Sequence, residues 1–227
     1  MIISHEHKFI FVKTRKTAGT SIEVALEPFL SERDIVTPIA NDSHPARNFT
    51  KPIRRYRSVL GGSHVWEMKR DVARERWFFN HIPGRLIRAR IGPRTWNSYF
   101  KFCFERDPWE KTISWYYYRF AQEPDAPSFD EYVANGQLPS DFDRYSLDGS
   151  TVAVDFVGRY ENLVDDLRVA LDHVGIDHPV QLPNEKGAFR PGDSATVDLF
   201  DAAKSARVEA VYRREIATFG YTAPALR

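Results

Sequence analysis

The apolar positions fall into short blocks of two periods. Lys8 to Lys13 (KFIFVK) is a compact run of β-prone residues and predicts a buried strand. It leads into a polar loop, TRKTAG, and then into TSIEVALEPFL, where Ile22, Ala25, Leu26 and Phe29 recur at helical spacing. Thr20 or Ser21 stands where a helix cap is expected, with Glu23 in the first turn and Pro28 near the end. The first unit is therefore strand, tight loop, helix.

Tyr99 to Phe104 (YFKFCF) alternates in part, is rich in aromatics and predicts a central strand, closed by Glu105-Arg106-Asp107-Pro108. Trp109 to Ala121 reads as a helix with Pro108 at or just before its first turn. Further along, the pattern predicts a short helix at Phe129–Ala134 and a strand at Val152–Val157. A helix is expected at Glu161–Val174, with Leu163, Leu167, Leu171 and Val174 on one face and Gly175 as its stop, and a last one at Asp201–Phe219. His64 to Trp77 has helical character with a thin apolar face. Residues 31–62 and 177–197 read as Pro- and Gly-containing loops, and 78–95 is broken by Pro83, Gly84, Gly92 and Pro93. Strands alternating with helices predict an α/β fold with a largely parallel sheet, in one domain over residues 1–227.

Composition narrows the class. The 227 residues are 42% hydrophobic, with 16 Phe, 10 Tyr and 5 Trp, enough for a sizeable core and too much for a disordered chain. The one cysteine, Cys103, excludes an intramolecular disulfide framework and a multi-cysteine zinc site, and its place between Phe102 and Phe104 predicts burial. No apolar run reaches the ~18 residues of a membrane span, and MIISHEHKFIFVK lacks the pattern of a signal peptide, so the expected compartment is the cytosol. The net charge is only +1, yet residues 47–94 hold thirteen Lys/Arg against Glu67, Asp71 and Glu75. That window is +10 and the rest of the chain −9, which suggests an anionic ligand near the window or a solvated basic face paired with the acidic remainder.

Two segments carry chemistry. In KTRKTAGTS a polar loop joins a strand to a helix, and a helix start offers unpaired N–H groups and partial positive charge to an anion. Lys16 adds a cation, Gly19 permits close approach, and Thr17, Thr20 and Ser21 add hydroxyls. The nucleoside-triphosphate loop GxxxxGK[ST] is absent, which weakens a kinase reading. In FERDPWEKTISWYY, Arg106 ends a strand and Ser114 follows eight residues later in a helix, so a turn at Pro108 can bring guanidinium and hydroxyl onto one anion.

Together these segments resemble the two donor-binding motifs of sulfotransferases that use 3′-phosphoadenosine 5′-phosphosulfate (PAPS). FVKTRKTAGTS resembles the 5′-phosphosulfate loop and FERDPWEKTISWYY the 3′-phosphate motif. GRYENLVDDL (Gly158 to Leu167) and the terminal ATFGY add further likeness to the carbohydrate-type group, which includes heparan- and chondroitin-like and bacterial members. The likeness extends over about residues 8–221. It implies a P-loop-like three-layer fold, with Arg15, Lys16, Thr17, Ala18, Gly19, Thr20 and Ser21 around the 5′-phosphosulfate and Arg106 and Ser114 on the 3′-phosphate. It further implies Tyr160 at the adenine, Arg190 closing over the donor, and residues 31–95 as acceptor-binding insertion and loops. The sequence departs from the family pattern where Glu105 and Asp107 flank Arg106, an arrangement that suits an anion only if they turn away or pair with Lys101 or Lys111.

The implied reaction is sulfuryl transfer to a hydroxyl, with Lys16 neutralising the leaving group and a histidine taking the acceptor proton. His64, after Gly61-Gly62-Ser63 and at the start of a helical stretch, is the preferred base, ahead of His81 and His44; Glu67 one turn on is placed to orient it. No metal is needed and no metal-ligand pattern is present. The expected acceptor is a saccharide, an anionic one fitting the basic window, with a small lipid or metabolite alcohol as the alternative. A kinase-like or non-catalytic nucleotide-binding protein is the reading from another class. No nucleic-acid recognition module is seen, and the oligomeric state is left open.

Overall fold

A computed structural model describes residues 1–37, 78–177, 182 and 196–225. Its strands are β1 (Ile2–Ser4), β2 (Phe9–Phe11), β3 (Ile35–Val36), β4 (Phe100–Glu105) and β5 (Phe156–Arg159). The helices are α1 (Gly19–Leu26), α2 (Gly84–Ile91), α3 (Pro93–Ser98), α4 (Pro108–Phe120), α5 (Phe129–Asn135), α6 (Phe142–Tyr145), α7 (Leu163–His173), α8 (Thr196–Leu199), α9 (Ala202–Val211) and α10 (Arg213–Phe219). Single 3₁₀ turns extend α1 (Glu27–Phe29) and precede α7 (Tyr160–Asn162).

The strands form one sheet in the order β3-β1-β2-β4-β5. β2 pairs parallel with β4, and β4 parallel with β5; β1 runs antiparallel to both β2 and β3. Four of the five strands therefore point one way, and the sheet is mostly parallel. Alternation along the strands divides the core. Phe9, Phe11, Phe102 and Phe104 face one way, onto Ile22 and Leu26 of α1 and Leu167, Ala170 and Leu171 of α7. Ile3, Ile10 and Cys103 face the other way, onto Ile87 of α2, Trp96 of α3 and Phe142 and Tyr145 of α6. The result is a three-layer α/β architecture, as expected, and each fully buried Phe or Ile contributes about 1.5–3 kcal/mol. A third cluster, built on Trp109, Ile113, Tyr132 and Val208, joins α4, α5 and α9. Gly158 opposes Phe104 across β4 and β5, and a Cβ there would lie 2.4 Å from the ring.

Several elements differ from the sequence pattern. Ile2–Ser4 is a strand, so His5 and His7 lie in the turn between two strands rather than ahead of the first. Asp34 fixes that turn, accepting from Ser4 Oγ (3.0 Å), the backbone N–H of His5 (2.6 Å) and that of Ser31 (2.9 Å). The last parallel strand is Phe156–Arg159, not Val152–Val157. Val152 bridges back to Ser146, and Asp155 takes both the backbone N–H of Lys101 (2.8 Å) and its ammonium (2.7 Å) before pairing begins. The terminal helix is two helices meeting at Tyr212. The broken stretch 78–95 forms α2 and the start of α3, and Ile35–Val36, within the expected loop 31–62, pairs with β1. Among the described residues no helix is long and apolar enough to cross a membrane. Residues 38–77, with the helical reading of His64–Trp77, lie outside the described residues.

Candidate active site

All three parallel strands deliver their carboxyl ends to one cavity, the usual ligand position in open α/β sheets. Beyond β2, Thr14 Oγ1 donates to the carbonyl of Phe104 (2.5 Å) and meets Thr17 Oγ1 (2.9 Å), which ties the loop to the end of β4. Lys16 and Ala18 adopt left-handed backbone conformations, at φ 60° and 55°, that nonglycine residues rarely occupy. Neither Thr20 nor Ser21 caps α1: the cap position is Ala18, with no side-chain bond to the helix start. The first N–H groups of α1 are thus left to the cavity side, where they suit an anion.

Gly19 is required for a local reason. The Lys13 side chain lies across it, and a Cβ would sit 2.7 Å from Lys13 Cγ. Lys13 continues to Thr20 Oγ1 (3.2 Å) and to the buried carboxylate of Glu23 (2.7 Å), which also pairs with the Met1 ammonium. Burial opposes ionisation of Glu23, but the Met1 and Lys13 ammoniums outweigh it and hold the carboxyl at about 2. A carboxyl with a depressed folded-state pKa stabilises fully above its unfolded value, near 4.5, and the contribution is lost as pH falls towards about 2. Urea denaturation of Glu23→Gln is therefore expected to show a deficit at pH 7 of about 2–4 kcal/mol that shrinks steadily below pH 4. A deficit independent of pH would remove the ionised carboxylate as its cause.

Beyond β4, Arg106 lies over the Tyr160 ring, its guanidinium carbon 4.1 Å from the centroid. One arm reaches Glu110 (3.2 Å) and another makes a long contact to the Lys16 carbonyl (3.5 Å), while Nε is buried without a hydrogen-bond partner. The flanking acids have other tasks. Glu105 pairs with Lys111 (2.5 Å), both buried, and accepts from Tyr145 (3.1 Å). Asp107 caps α4 by accepting from the N–H groups of Trp109 (3.0 Å) and Glu110 (2.9 Å). Lys101 pairs with Asp155 instead. Neither Glu105 nor Asp107 lines the cavity, and among its described lining residues none is acidic.

The cavity brings together Arg15, Lys16, Ala18, Gly19, Thr20 and Ser21 with Arg106, Ser114 and Tyr160. Thr17 is not among its walls: it is buried, its hydroxyl engaged with Thr14. His64 and Arg190, with Glu67 and His44, lie outside the described residues. The described part of the basic window, Arg85, Arg88, Arg90 and Arg94, sits on α2 and α3 and does not line the cavity. Cys103 is buried, and burial pushes its thiol up, which fits packing and not nucleophilic chemistry.

Five residues on the wall were not assigned a role at the sequence level: Lys13, Thr14, Asn80, Trp115 and Tyr118. The Lys16 ammonium rests 4.3 Å from the Tyr118 ring centroid, and the Arg15 guanidinium 5.4 Å from that of Trp115. The aromatic run SWYYY was legible in the sequence, but the burial of individual rings was not. His81, a secondary choice on sequence, also lines the cavity, in a left-handed conformation at φ 59°. Its Nδ1 lies 3.2 Å from the Lys13 carbonyl. A carbonyl only accepts, so Nδ1 carries the proton and Nε2 keeps its lone pair. Burial, reinforced by the Lys13 charge, lowers the imidazole to about 3, so the ring is neutral at pH 7.

Comparison with known proteins agrees with this geometry. Residues 1–222 match the family model described as "Sulfotransferase family". An uncharacterized protein of Archaeoglobus fulgidus is 36% identical over 100 residues, covering 42% of this chain and 83% of the relative. No solved structure gives a significant match. With the strand-end cavity, its cations and the match along nearly the whole length, the chain belongs to the sulfotransferase family.

Proposed function

We propose that the protein transfers a sulfuryl group from PAPS to a hydroxyl of a saccharide acceptor by in-line displacement, with a histidine as base. The observation that carries this reading is the cavity itself. Lysine and arginine side chains from two strand ends converge on it, its described lining holds no acidic residue, and the buried Arg106 Nε is a donor still lacking an acceptor. Bound there, PAPS supplies an activated sulfuryl group on a phosphate leaving group. The start of α1, Thr20, Ser21 and Lys16 hold the 5′-phosphate and stabilise charge as it develops. Arg106 and Ser114 hold the 3′-phosphate, and Tyr160 meets the adenine.

Residues 31–95 serve the acceptor, and among the described residues of that stretch Asn80 and His81 stand on the cavity wall. His64 was the sequence's preferred base. We take His81 as the base because, among the described residues, it is the histidine on the cavity wall, and its Nε2 is in the proton-accepting form at neutral pH. An anionic donor beside Lys13 and His81 opposes the Lys13 charge and raises the imidazole towards a useful basicity.

Calorimetric titration with 3′,5′-ADP, against 5′-AMP and ATP–Mg, tests the donor site. Binding is expected to depend on the 3′-phosphate and to weaken by roughly 10–100-fold in Arg106→Ala, the typical worth of a charged hydrogen bond. Preference for ATP–Mg would overturn the reading in favour of a kinase. A positive result leads to a screen of glycans and small alcohols with sulfur-35-labelled PAPS, in which labelling of alcohols but no glycan would replace the saccharide assignment.

A further inference from the structure

Beneath the cavity lies a cluster of buried charges that the transfer scheme does not use. Asp141, just before α6, is fully buried. Its Oδ1 accepts from Nε of Arg15 (2.8 Å) and Nε of Arg144 (2.5 Å). Its Oδ2 accepts from the backbone N–H of Arg15 (2.7 Å) and lies 3.0 Å from Lys111 Nζ. Four donors converge on one carboxylate, which fills its acceptor capacity.

Each donor leads to a different wall. Arg15 opens the phosphate loop, and its guanidinium also donates to the Ser140 carbonyl (2.6 Å). Arg144 donates to the backbone carbonyl of His81. Lys111 pairs with Glu105, which accepts the backbone N–H of Arg106 (3.0 Å). The carboxylate is held from behind by α10: Glu215 Oε1 accepts from Ser140 Oγ (2.6 Å) and from the N–H groups of Asp141 (3.3 Å) and Phe142 (3.2 Å). Three cations, Arg15, Lys111 and Arg144, are thus held among three buried carboxylates, Asp141, Glu105 and Glu215, so the cluster is a charge-balanced network beside the anion site.

We propose that Asp141 is the positioning residue of this site, one buried carboxylate that sets the spacing between the phosphate loop, the Arg106 strand end and the His81 segment. The proposal rests on the transfer reading above. Displacement of a reacting group by about 1 Å can cost ~10²-fold in rate, so a shared anchor for the three walls has a direct catalytic consequence.

Asp141→Asn tests it by two readouts. Amide hydrogen exchange is expected to accelerate locally at Arg15–Ser21 and Asn80–Ile82 while β4 stays protected. Affinity for 3′,5′-ADP is expected to fall roughly 10–100-fold, and Asp141→Asn should lower it less in an Arg15→Met background than in wild type, since part of its effect runs through Arg15. A lower melting temperature with unchanged local exchange and unchanged affinity would overturn the proposal and leave Asp141 a structural residue. Failure of the wild-type protein to bind 3′,5′-ADP would sink the donor reading, while the exchange experiment still decides the anchor. If Asp141→Asn does not fold, Arg144→Met breaks the tie to His81 alone. It should accelerate exchange at Asn80–Ile82 and spare Arg15–Ser21; wild-type exchange at Asn80–Ile82 would overturn the role.

Discussion

His81→Ala is expected to lower sulfuryl transfer by ~10²–10⁴, the usual worth of a general base, while 3′,5′-ADP affinity stays within a few-fold of wild type. The reason lies in how the ring is held. Its Nδ1–H is directed to the Lys13 carbonyl, its backbone carbonyl is held by Arg144, and its left-handed backbone places the ring on the cavity wall. Nothing in that arrangement is needed to bind the two phosphates of the product nucleotide, so the loss should fall on kcat. Single-turnover transfer of labelled sulfuryl from PAPS to the acceptor found by screening measures it. His64→Ala under the same conditions is the comparison. A large loss there with near-normal turnover in His81→Ala would return the base to the residue the sequence preferred.

Lys111→Met is expected to destabilise the fold by about 3–5 kcal/mol, the usual cost of stripping the partner from a buried charge. Domains are stable by only about 5–15 kcal/mol, so this is a large share. Lys111 is fully buried between Glu105 and Asp141. Burial lowers its pKa, but the two carboxylates outweigh burial and raise it, so it is charged at neutral pH. Without it two carboxylates face each other in the interior.

The pH dependence has a definite sign. Burial already raises Glu105 above its ordinary value, against the pull of Lys111. Removing Lys111 raises it further, so the folded variant binds more protons than the unfolded chain above pH 4.5. Its stability relative to wild type should therefore recover as pH falls from 8 towards 5. Adding Glu105→Gln should restore part of the loss at pH 8, because it removes one stranded charge. Denaturant midpoints at the two pH values read both effects. A deficit below about 1 kcal/mol at pH 8 would show that the interior tolerates Glu105 without its lysine.

The same lysine shows how far the sequence could be read. Glu105 and Asp107 beside Arg106 looked unfavourable for a phosphate site, and local spacing offered two partners, Lys101 and Lys111. The choice depended on Asp155, fifty-four residues from Lys101, and on Asp141, thirty from Lys111. Asp107 proved to be a helix cap, a local role that Pro108 and the following helix already signalled. His64 was preferred for its place after Gly61-Gly62-Ser63 at the start of a helical stretch, and Arg190 through the resemblance; both lie outside the described residues. Nothing in the residues around His81 announces its left-handed backbone or the neighbouring Lys13 carbonyl.

What the sequence determined by itself is what short-range pattern encodes: the alternating apolar runs of β2 and β4, the helical spacing of α4 and α7, and the two motifs that each follow a strand. These depend on periodicity and on residues a few positions apart, and they fix family and fold class. The tertiary structure decided the rest. Ile2–Ser4 is a strand only because β2 and β3 flank it, and Val152–Asp155 leaves the sheet because Ser146 and Lys101 compete for its backbone and side chain. The arrangement of buried charge is of the same kind: a carboxylate in the interior is stable only with partners, and those of Asp141 come from Arg15, Lys111 and Arg144, up to 126 positions away along the chain.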